Sequence, residues 1–430
     1  MKKVDFFPDP MAGERKKVVI IGGGVSGALS AFELAHAGHE VTLIEAGNLG
    51  NGSSQRSAAC IRQQFGTPST VRGMIFSTEY FKNWREIIGG DTTPIVQSGY
   101  LFLKSWNTNM AELADVVMMQ QNAGLKDVRI LTVKEIEDQF GYIDTTGLKG
   151  ATWCPSDGFL DPGMVYTDAA NAARLLGATI IQNDQMVSAT MSGNMVKAIQ
   201  TKSGRTITAE SLIVVNAAGA WAPEVSEMMK GYRLDIKARK RYLYFMDGLK
   251  EGRPNNIMTV EHFKKLPMII TPDGCYCRKD GQRLMMGWLH NANPIRPTLD
   301  SNIQDEIELG FAASAFEGYA AVVKKEMASR VPDISENMGA IYTATSGLYE
   351  DTPDHNPLIG YDPWVPNVIH AAGFSGHGLM HAPFTARIVS RLVSNGKNLE
   401  KISLPLGLGD VDVKPFHVNR EFSHSEKMVI

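Results

Sequence analysis

The sequence has few cysteines, no long apolar run and no strong excess of either charge. Its 430 residues contain four cysteines, too few and too scattered for a disulfide framework, so we expect reduced thiols. The 43 Lys and Arg residues nearly balance the 46 Asp and Glu residues, for a net charge of −3, which argues against nucleic-acid or other polyanion binding. Apolar stretches such as 212–218 are too short to cross a bilayer, and residues 1–17 do not resemble a secretory signal. We therefore predict a cytoplasmic protein without a membrane span.

Metal binding is also not expected from the cysteine positions. Cys275 and Cys277 form a C-x-C pair, but no second Cys/His pair follows at the spacing of zinc ligands. Residues two apart on a strand share one face, so we predict a strand that presents both thiols to the same side.

The first strong pattern is a strand, a glycine turn and a helix. Residues 17–21 (KVVII) form the β-branched run typical of a strand buried on both faces. Gly22, Gly24 and Gly27 then fit G-x-G-x-x-G, and the Ala- and Leu-rich residues 25–37 predict a helix. In this motif a pyrophosphate approaches the glycine backbone and sits on the helix N-terminus, here Val25 and Ser26.

A second strand completes a βαβ unit and ends in an acidic residue. Residues 41–44 predict the strand, and Glu45 follows 23 residues after Gly22. A carboxylate there accepts hydrogen bonds from the adenosine ribose and repels a 2′-phosphate, which disfavours NADP. The order of these parts predicts dinucleotide binding, but it does not distinguish FAD from NAD.

Two later strands also end in turns of small residues. Residues 211–216 predict a buried strand that leads into Ala218, Gly219 and Trp221. Residues 367–372 predict another, followed by the Gly376-His377-Gly378 turn and a helix over 379–393. The second turn would present N–H groups and a positive helix end to a ligand.

Together these segments resemble the D-amino-acid-oxidase-type FAD-dependent oxidoreductases. The similarity is greatest to the branch with sarcosine oxidase and dehydrogenase, glycine oxidase, dimethylglycine dehydrogenase and the β subunit of archaeal dye-linked L-proline dehydrogenase. The similar segments are 18–57, 212–222 and, above all, GLYEDTPDHNPLIG (347–360) followed by AAGFSGHGLMHAP (371–383). The resemblance implies an extended FAD, with its adenosine half on the βαβ unit and its isoalloxazine near the 376–378 turn.

The resemblance also implies a set of cofactor-binding residues. Relatives that link the flavin covalently carry a Cys where this chain has Gly347, so we predict non-covalent FAD. The implied cofactor residues are Gly22, Gly24, Val25, Ser26, Gly27, Glu45, Ser53, Ser54, Gln55, Arg56, Ser57, Val187, Ala218, Gly219, Trp221, Gly347, Gly376, His377, Gly378, Leu379 and Met380.

For the substrate, the resemblance implies a carboxylate clamp at Arg62, whose two-pronged donor geometry suits that task. His377 and His290 are candidate catalytic residues for polarity near the flavin or proton uptake, and Tyr276 and His290 are candidate substrate contacts. A structural role is equally compatible with His377, and a solvent-facing position is equally compatible with Tyr276 and His290.

Three departures from the monomeric sarcosine oxidases bear on the reaction. A second Arg of those enzymes is replaced by Ala59, and a carboxylate-assisting Lys by Met380. Met285 stands where they carry a Lys that promotes reaction with oxygen, which favours a dehydrogenase over an oxidase.

We predict an α/β protein, α+β overall, with a Rossmann-like FAD-binding domain and a second, antiparallel-sheet substrate domain. The FAD domain would comprise 1–90, 150–232 and 338–410, the substrate domain 91–149 and 233–337, and 411–430 a C-terminal tail. Strands are expected at 94–104 and 239–246, and a helix at 302–325. A hairpin is expected from 267–277 and 282–289 around Asp280-Gly281.

The predicted reaction is oxidation of a secondary, N-methylated or cyclic amino acid such as sarcosine or proline. A hydride would pass from the amine carbon to flavin N5 and leave an imine. The alternatives are an oxygen-using oxidase of the same substrates, a flavin-bearing subunit or assembly factor without its own turnover, and an NAD enzyme. A homo-oligomer and a hetero-oligomer with an electron-accepting subunit both stay open.

Overall fold

The computed structural model describes residues 6–7, 14–249, 257–288, 320–422 and 426, and the backbone of 294–295, and His290 lies outside these ranges. The strands are β1 Lys17–Ile21, β2 Glu40–Ile44, β3 Cys60–Ile61, β4 Ile95–Gln97, β5 Tyr100–Ser105, β6 Arg129–Leu131, β7 Leu148–Cys154, β8 Gly158–Leu160, β9 Thr179–Ile181, β10 Met186–Ser192, β11 Met195–Thr201, β12 Thr206–Thr208, β13 Leu212–Asn216, β14 Lys237–Asp247, β15 Met268–Ile270, β16 Cys275–Asp280, β17 Arg283–Trp288, β18 Pro294–Ile295, β19 Ile341–Asp351, β20 Leu358–Tyr361, β21 Val368–Ala372, β22 Lys401–Leu404 and β23 Gly409–Asp412. The helices are α1 Val25–His36, α2 Pro68–Lys82, α3 Trp84–Ile87, α4 Met110–Ala123, α5 Val133–Gln139, α6 Pro162–Leu175, α7 Ala222–Met228, α8 Val260–Lys264, α9 Ala320–Ala328, α10 Asp333–Glu336 and α11 Gly378–Asn395.

The first sheet has the order β20-β21-β13-β1-β2-β9, and all its neighbours are parallel except β20 and β21. Because strand side chains alternate, Val18 and Ile20 of β1 enter the core beneath α1 and α11. Val19 and Ile21 face the other way, toward the small β10-β11-β12 sheet and α7. Burial on both faces explains the continuous apolar run, and the Rossmann-like prediction is confirmed.

The second sheet has the order β18-β14-β17-β16-β15-β5-β7-β6, with β19 paired to β14. Its neighbours are antiparallel, as predicted, apart from the parallel pair β15 and β5. One face carries Tyr276 and Met285 into the same core as α1. The opposite face buries Cys275 and Cys277 beneath α9. All four cysteines are free and buried.

Most predicted elements are confirmed, but two long strands were predicted wrongly. The expected strand 94–104 is broken at Gly99, where φ is +84° and a Cβ would collide with the Trp153 ring. The expected strand 267–277 is divided by the turn between β15 and β16. The hairpin after Asp280 is confirmed, with Gly281 at φ +62°. Of the helix expected at 302–325, residues 302–319 lie outside the described part.

The predicted domain boundaries stay a prediction, and two strands lie across them. β19 belongs to the range assigned to the FAD domain, yet it pairs along β14 of the second sheet. β7 begins before residue 150 and pairs with β5. Within the predicted tail, Arg420 makes a two-pronged ion pair with buried Asp354. No described helix has the length and apolar character needed to cross a membrane.

Candidate active site

A cavity of about 430 Å³ lies between the two sheets. Its walls come from the turn after β1, the end of β2, the segment after β13, the second sheet and the N-terminus of α11. These segments are distant in sequence, and the topology brings their ends together.

The glycine turn after β1 shapes one wall. A Cβ at Gly22 would collide with the carbonyl oxygen of Ala217, and one at Gly27 with that of Gly22. These two glycines therefore allow close packing of backbone on backbone. Gly24, Val25 and Ser26 line the cavity, and the N–H of Val25, the first residue of α1, donates to the Ser54 hydroxyl at 3.1 Å. The turn thus offers the positive end of a twelve-residue helix to a ligand.

Glu45 stands beside this turn and shapes it. Its carboxylate accepts hydrogen bonds from the backbone N–H of Gly23 at 2.7 Å and of Gly47 at 2.8 Å. Burial raises the pKa of Glu45, and these two hydrogen bonds partly oppose that rise. The carboxylate lines the cavity and keeps lone pairs for ribose hydroxyls.

The two C-terminal motifs hold each other in place at the opposite glycine turn. The Glu350 carboxylate accepts the N–H of Gly373 at 2.7 Å, and its carbonyl accepts that of Ser375 at 3.1 Å. The Ser375 hydroxyl accepts the N–H of Thr352 at 3.1 Å. These hydrogen bonds between the two segments explain why the motifs at 347–360 and 371–383 occur together in the sequence. Burial raises the pKa of Glu350 to about 7.

Gly376 and the start of α11 complete this wall. Gly376 has φ +85°, and a Cβ there would collide with the Tyr349 ring. Gly378 and Leu379, the first residues of the helix, line the cavity. A second helix N-terminus therefore faces the same space as that of α1, which suits a ligand with negative or developing negative charge at both ends.

Arg62 is fully buried next to this turn. Its guanidinium donates to the carbonyl of Gln64 at 2.6 Å and to His377 Nε2 at 3.0 Å, and lies 4.0 Å from the Phe65 ring centroid. Because an Arg only donates, His377 Nε2 must accept, so its proton is on Nδ1. Burial and the Arg62 charge lower the pKa of His377 well below its ordinary value, so the imidazole is neutral.

Asp157 fixes the segment that carries Arg62. Its carboxylate accepts the backbone N–H of Gln63 at 2.8 Å and the side-chain amide of Gln64 at 3.0 Å. Asp157 is fully buried, and burial raises its pKa to about 6. Its negative charge acts on Arg62, whose pKa is lowered by burial. This carboxylate therefore positions the arginine.

The second sheet adds residues that sequence reasoning did not single out. Arg241 and Tyr349 line the cavity with the predicted Tyr276. The Arg241 guanidinium lies 5.3 Å from the Tyr349 ring centroid and 3.9 Å from the Asp351 carboxylate, and its Nε has no hydrogen-bond partner in the described part of the chain. The alternation of Arg239 and Arg241 in β14 could have indicated two cations on one face.

The structure brings most of the predicted cofactor residues together. Those that line the cavity are Gly22, Gly24, Val25, Ser26, Glu45, Ser53, Ser54, Arg56, Ser57, Ala218, Gly219, Trp221, Gly347, Gly376, Gly378 and Leu379.

Several predicted residues lie elsewhere. Val187 is 43% exposed, and Gln185 and Met186 line the cavity in its place. Gln55 points outward and donates to Asn51. Met380 is buried in the core and does not line the cavity. The same is true of Arg62, His377 and Gly27. The expected contacts of Val187 and Gln55 therefore have no support, because β10 and the turn before Arg56 direct these side chains outward.

The residues present fit an extended dinucleotide. The cavity connects an acid suited to a ribose, two helix N-termini and a wall that contains Tyr276 and Tyr349. Neither cysteine nor histidine is present in the lining formed by the described residues. Among the described residues there is also no cluster of three His, Cys, Asp or Glu suited to a metal.

Comparison with known proteins is consistent with this geometry. Residues 17–392 match the family model described as FAD dependent oxidoreductase. The chain is 28% identical over 425 residues to FAD-dependent oxidoreductase domain-containing protein 1 of Bos taurus, covering 89% of this chain and 82% of that protein. It is 26% identical over 376 residues to the mitochondrial sarcosine dehydrogenase of Mus musculus, covering 84% of this chain but 38% of that protein. The crystal structure of L-proline dehydrogenase from P. horikoshii has a TM-score of 0.75 at 29% identity, covering 90% of this chain and 95% of that one.

Proposed function

This chain belongs to the FAD dependent oxidoreductase family, its cofactor is FAD, and we propose that it oxidises a secondary amino acid to an imine. The observation that carries the proposal is the buried Arg62, held against neutral His377 at the turn where α11 begins. Two similar proteins named for sarcosine and L-proline dehydrogenase activity support the choice of a secondary amine.

Arg62 would hold the substrate carboxylate. Its guanidinium is a permanent cation and is fully buried, and in such a place a charge-assisted, two-pronged hydrogen bond is strong. Gln64 and His377 already fix the direction of the Arg62 guanidinium, so little side-chain entropy is lost when the carboxylate binds. The amine carbon is then held in a defined place, which is the main requirement of this chemistry.

When bound, FAD supplies the acceptor for the hydride that leaves the amine carbon, while the nitrogen lone pair forms the C=N bond and the N–H proton is released to solvent, which leaves the imine. The protein must keep the amine neutral and water away. Arg62 favours a neutral amine beside it, and the aromatic rings of Tyr276 and Tyr349 form an apolar wall. Burial raises the pKa of Tyr349 to about 12, and that of Tyr276 well above its ordinary value, so both phenols stay protonated.

A dehydrogenase is favoured over an oxidase by the surroundings of Met285. This residue is fully buried on the face of the second sheet that carries Tyr276. The position therefore contributes no ammonium group, the feature that the resemblance associates with reaction with oxygen.

The test is anaerobic titration of the purified holoprotein while its visible flavin band is recorded. We expect bleaching by one of sarcosine, L-proline, glycine or other N-alkyl amino acids, and none by the matched amine that lacks the carboxylate, such as pyrrolidine for proline. Bleaching by both members of a pair would overturn the clamp. Admission of air separates an oxidase, which recolours rapidly, from a dehydrogenase, which does not.

A second candidate is a flavin-bearing subunit or assembly factor without its own turnover. The observation that favours it is the complete burial of Arg62, whose donors already contact Gln64 and His377. A flavin band that every amine in the panel leaves unchanged would support this candidate.

A further inference from the structure

We propose that Lys104 binds a second anionic group of the substrate, so that the preferred substrates are acidic N-substituted amino acids with two carboxylates. This inference rests on the proposed function, since it extends the site at which Arg62 holds the first carboxylate. It assigns a role to a second cavity, which the cofactor does not require.

The second cavity has a volume of about 400 Å³ and lies at the end of β5. Its walls are β5, the start of α4 and the turn after β15, and they include Phe102, Lys104, Thr108 and Thr271. Phe102 and Lys104 are two residues apart on β5 and so share one face of the sheet. Phe102 belongs to the same core as Tyr276, a residue of the cofactor cavity wall.

Two cations share the Phe102 ring. The Lys104 ammonium lies 5.2 Å from the ring centroid, and the Arg62 guanidinium 5.7 Å from the same centroid. The two cations are therefore separated by about the width of this ring, and the proposed substrate is one that spans that distance with its two carboxylates. Both charges contact the aromatic face, which attracts cations weakly and leaves them available for an anion.

Lys104 lacks the partner that a half-buried ammonium normally has. Among the described residues, no carboxylate or other acceptor hydrogen-bonds to its Nζ or forms an ion pair with it. Burial and the charge of Arg62 lower the pKa of Lys104. Lys104 is half-buried, so its charge is partly desolvated, and an anionic ligand would supply the partner that it lacks.

The other charged groups at this cavity leave room for an anion. The Glu112 carboxylate is exposed and accepts a hydrogen bond from Asn109 at 2.9 Å, at the start of α4. Lys149 donates to the carbonyl of Thr108 at 3.0 Å and adds a positive charge beside the cavity.

The experiment compares two substrates that differ by one charge, both enantiomers of N-methylglutamate and of N-methylglutamine. We expect the anaerobic rate of flavin bleaching, divided by the apparent Kd, to be at least ~10-fold higher for the acid, which is about 1.4 kcal/mol. Lys104→Met should reduce that ratio to about one, and Lys104→Arg should retain most of it. Lys126→Met, a change of an exposed lysine just after α4, is the control.

A binding measurement separates this inference from the proposed function. Glutarate and its monoamide are titrated into the holoprotein, and the shift of the visible flavin spectrum reports binding without turnover. We expect glutarate to bind more tightly, and Lys104→Met to weaken glutarate alone. The flavin spectrum and the unfolding temperature of each variant verify that it is folded.

The outcomes are distinct. If sarcosine or proline bleaches the flavin while acid and amide pairs behave alike in wild type and Lys104→Met, the inference is overturned and the proposed function stands. If no amine bleaches the flavin but glutarate binds in a Lys104-dependent way, the proposed oxidation fails and the anion site stands. Equal binding of glutarate and its monoamide overturns the anion site.

Discussion

A fully buried guanidinium must have its charge compensated and its donors directed, and both conditions are met at Arg62. Asp157 supplies a nearby negative charge and fixes the Gln63-Gln64 backbone, while His377 takes one donor as a neutral acceptor. The result is a cation with a fixed direction, which a flexible ammonium could not reproduce.

For this reason we expect Arg62→Lys to bind the substrate carboxylate ~100-fold more weakly, a loss of about 2.7 kcal/mol. The variant keeps the charge but loses the planar pair of donors. Titration of a non-oxidisable carboxylate against the flavin spectrum measures the change. Arg129→Lys, at an exposed arginine, is the matched control, and an unchanged affinity in Arg62→Lys would exclude this residue as the clamp.

Glu350 makes stability depend on pH. Its folded-state pKa is about 7, above the ordinary value of about 4.3 in an unfolded chain. Between these values the folded state holds a proton that the unfolded state has lost, so the free energy of unfolding falls as pH rises. One proton corresponds to a slope of at most about 1.4 kcal/mol per pH unit.

We expect Glu350→Gln to flatten this slope. When the free energy of unfolding is measured with urea at pH 5 and pH 8, the variant should lose less of it between the two pH values than wild type does. The glutamine keeps an acceptor for the Gly373 N–H. Glu137→Gln, at an exposed site, should leave the slope unchanged. Asp157, with a pKa of about 6, contributes a remaining slope of the same sign. An unaltered slope in Glu350→Gln would mean that this carboxyl is ionised throughout the range.

At the scale of elements, α1 and α11 are joined by an ion pair within the core. Arg387 of α11 donates from Nε and Nη2 to the Glu33 carboxylate of α1 at 3.0 and 3.1 Å, and both residues are almost fully buried. Since each helix brings its N-terminus to the cofactor cavity, this pair also fixes the two N-termini relative to each other.

Removing one partner of this ion pair should therefore lower the free energy of unfolding much more than removing both partners. We expect Arg387→Met to lower the free energy of unfolding by about 3–5 kcal/mol, because Glu33 is then buried without its partner. The double variant Glu33→Gln, Arg387→Met should recover a large part of that loss. The exposed Lys134–Asp138 pair of α5 is the control, where Lys134→Met should cost under about 0.5 kcal/mol. Equal losses in the single and double variants would contradict the argument.

The elements that sequence predicted well are those whose pattern is local. The run 17–21 and the glycines after it identify a buried strand and its turn without knowledge of their neighbours. The break at Gly99 depends on the Trp153 ring, more than fifty residues away, so no local pattern could show it. The place of β19 in the second sheet likewise depends on its long-range pairing with β14.

The same division holds for the site. Gly22, Gly24 and Glu45 were predictable because the motif fixes their spacing. The role of Arg62, which lies outside the cavity lining, stays a prediction that rests on the resemblance. Arg241, Lys104 and Asp157 were not predictable, since their roles depend on burial and on the residues opposite them. Val187 shows the limit of the resemblance, because a shift of register in β10 between Met186 and Ser188 turns its side chain outward.

At the scale of the whole molecule, the cavity is lined by both sheets, and its ligand must therefore join them. Gly24 and Glu45 follow strands β1 and β2 of the first sheet, whereas Tyr276 and Gly347 lie on strands of the second sheet. FAD should consequently act as a structural link as well as a cofactor.

We expect FAD to raise the unfolding temperature strongly and AMP only weakly, because AMP can reach only the wall near Glu45. At 100 times its Kd, a ligand that binds only the folded state adds about 2.7 kcal/mol of stability. Thermal unfolding of the apoprotein with graded FAD or AMP measures the difference. Equal shifts at equal concentrations of FAD and AMP would show that contacts with the second sheet add nothing to cofactor binding.

The wide sequence separation of the cavity walls also affects how the protein is made. Gly22 and Leu379 face the same space, yet more than 350 residues lie between them. Contacts of such separation form late, because the entropy of closing a long loop must be lost first. During synthesis the glycine turn therefore leaves the ribosome long before the wall that completes its cavity. FAD is accordingly captured by a nearly complete chain, because the cavity that holds it does not exist before α11 has been made.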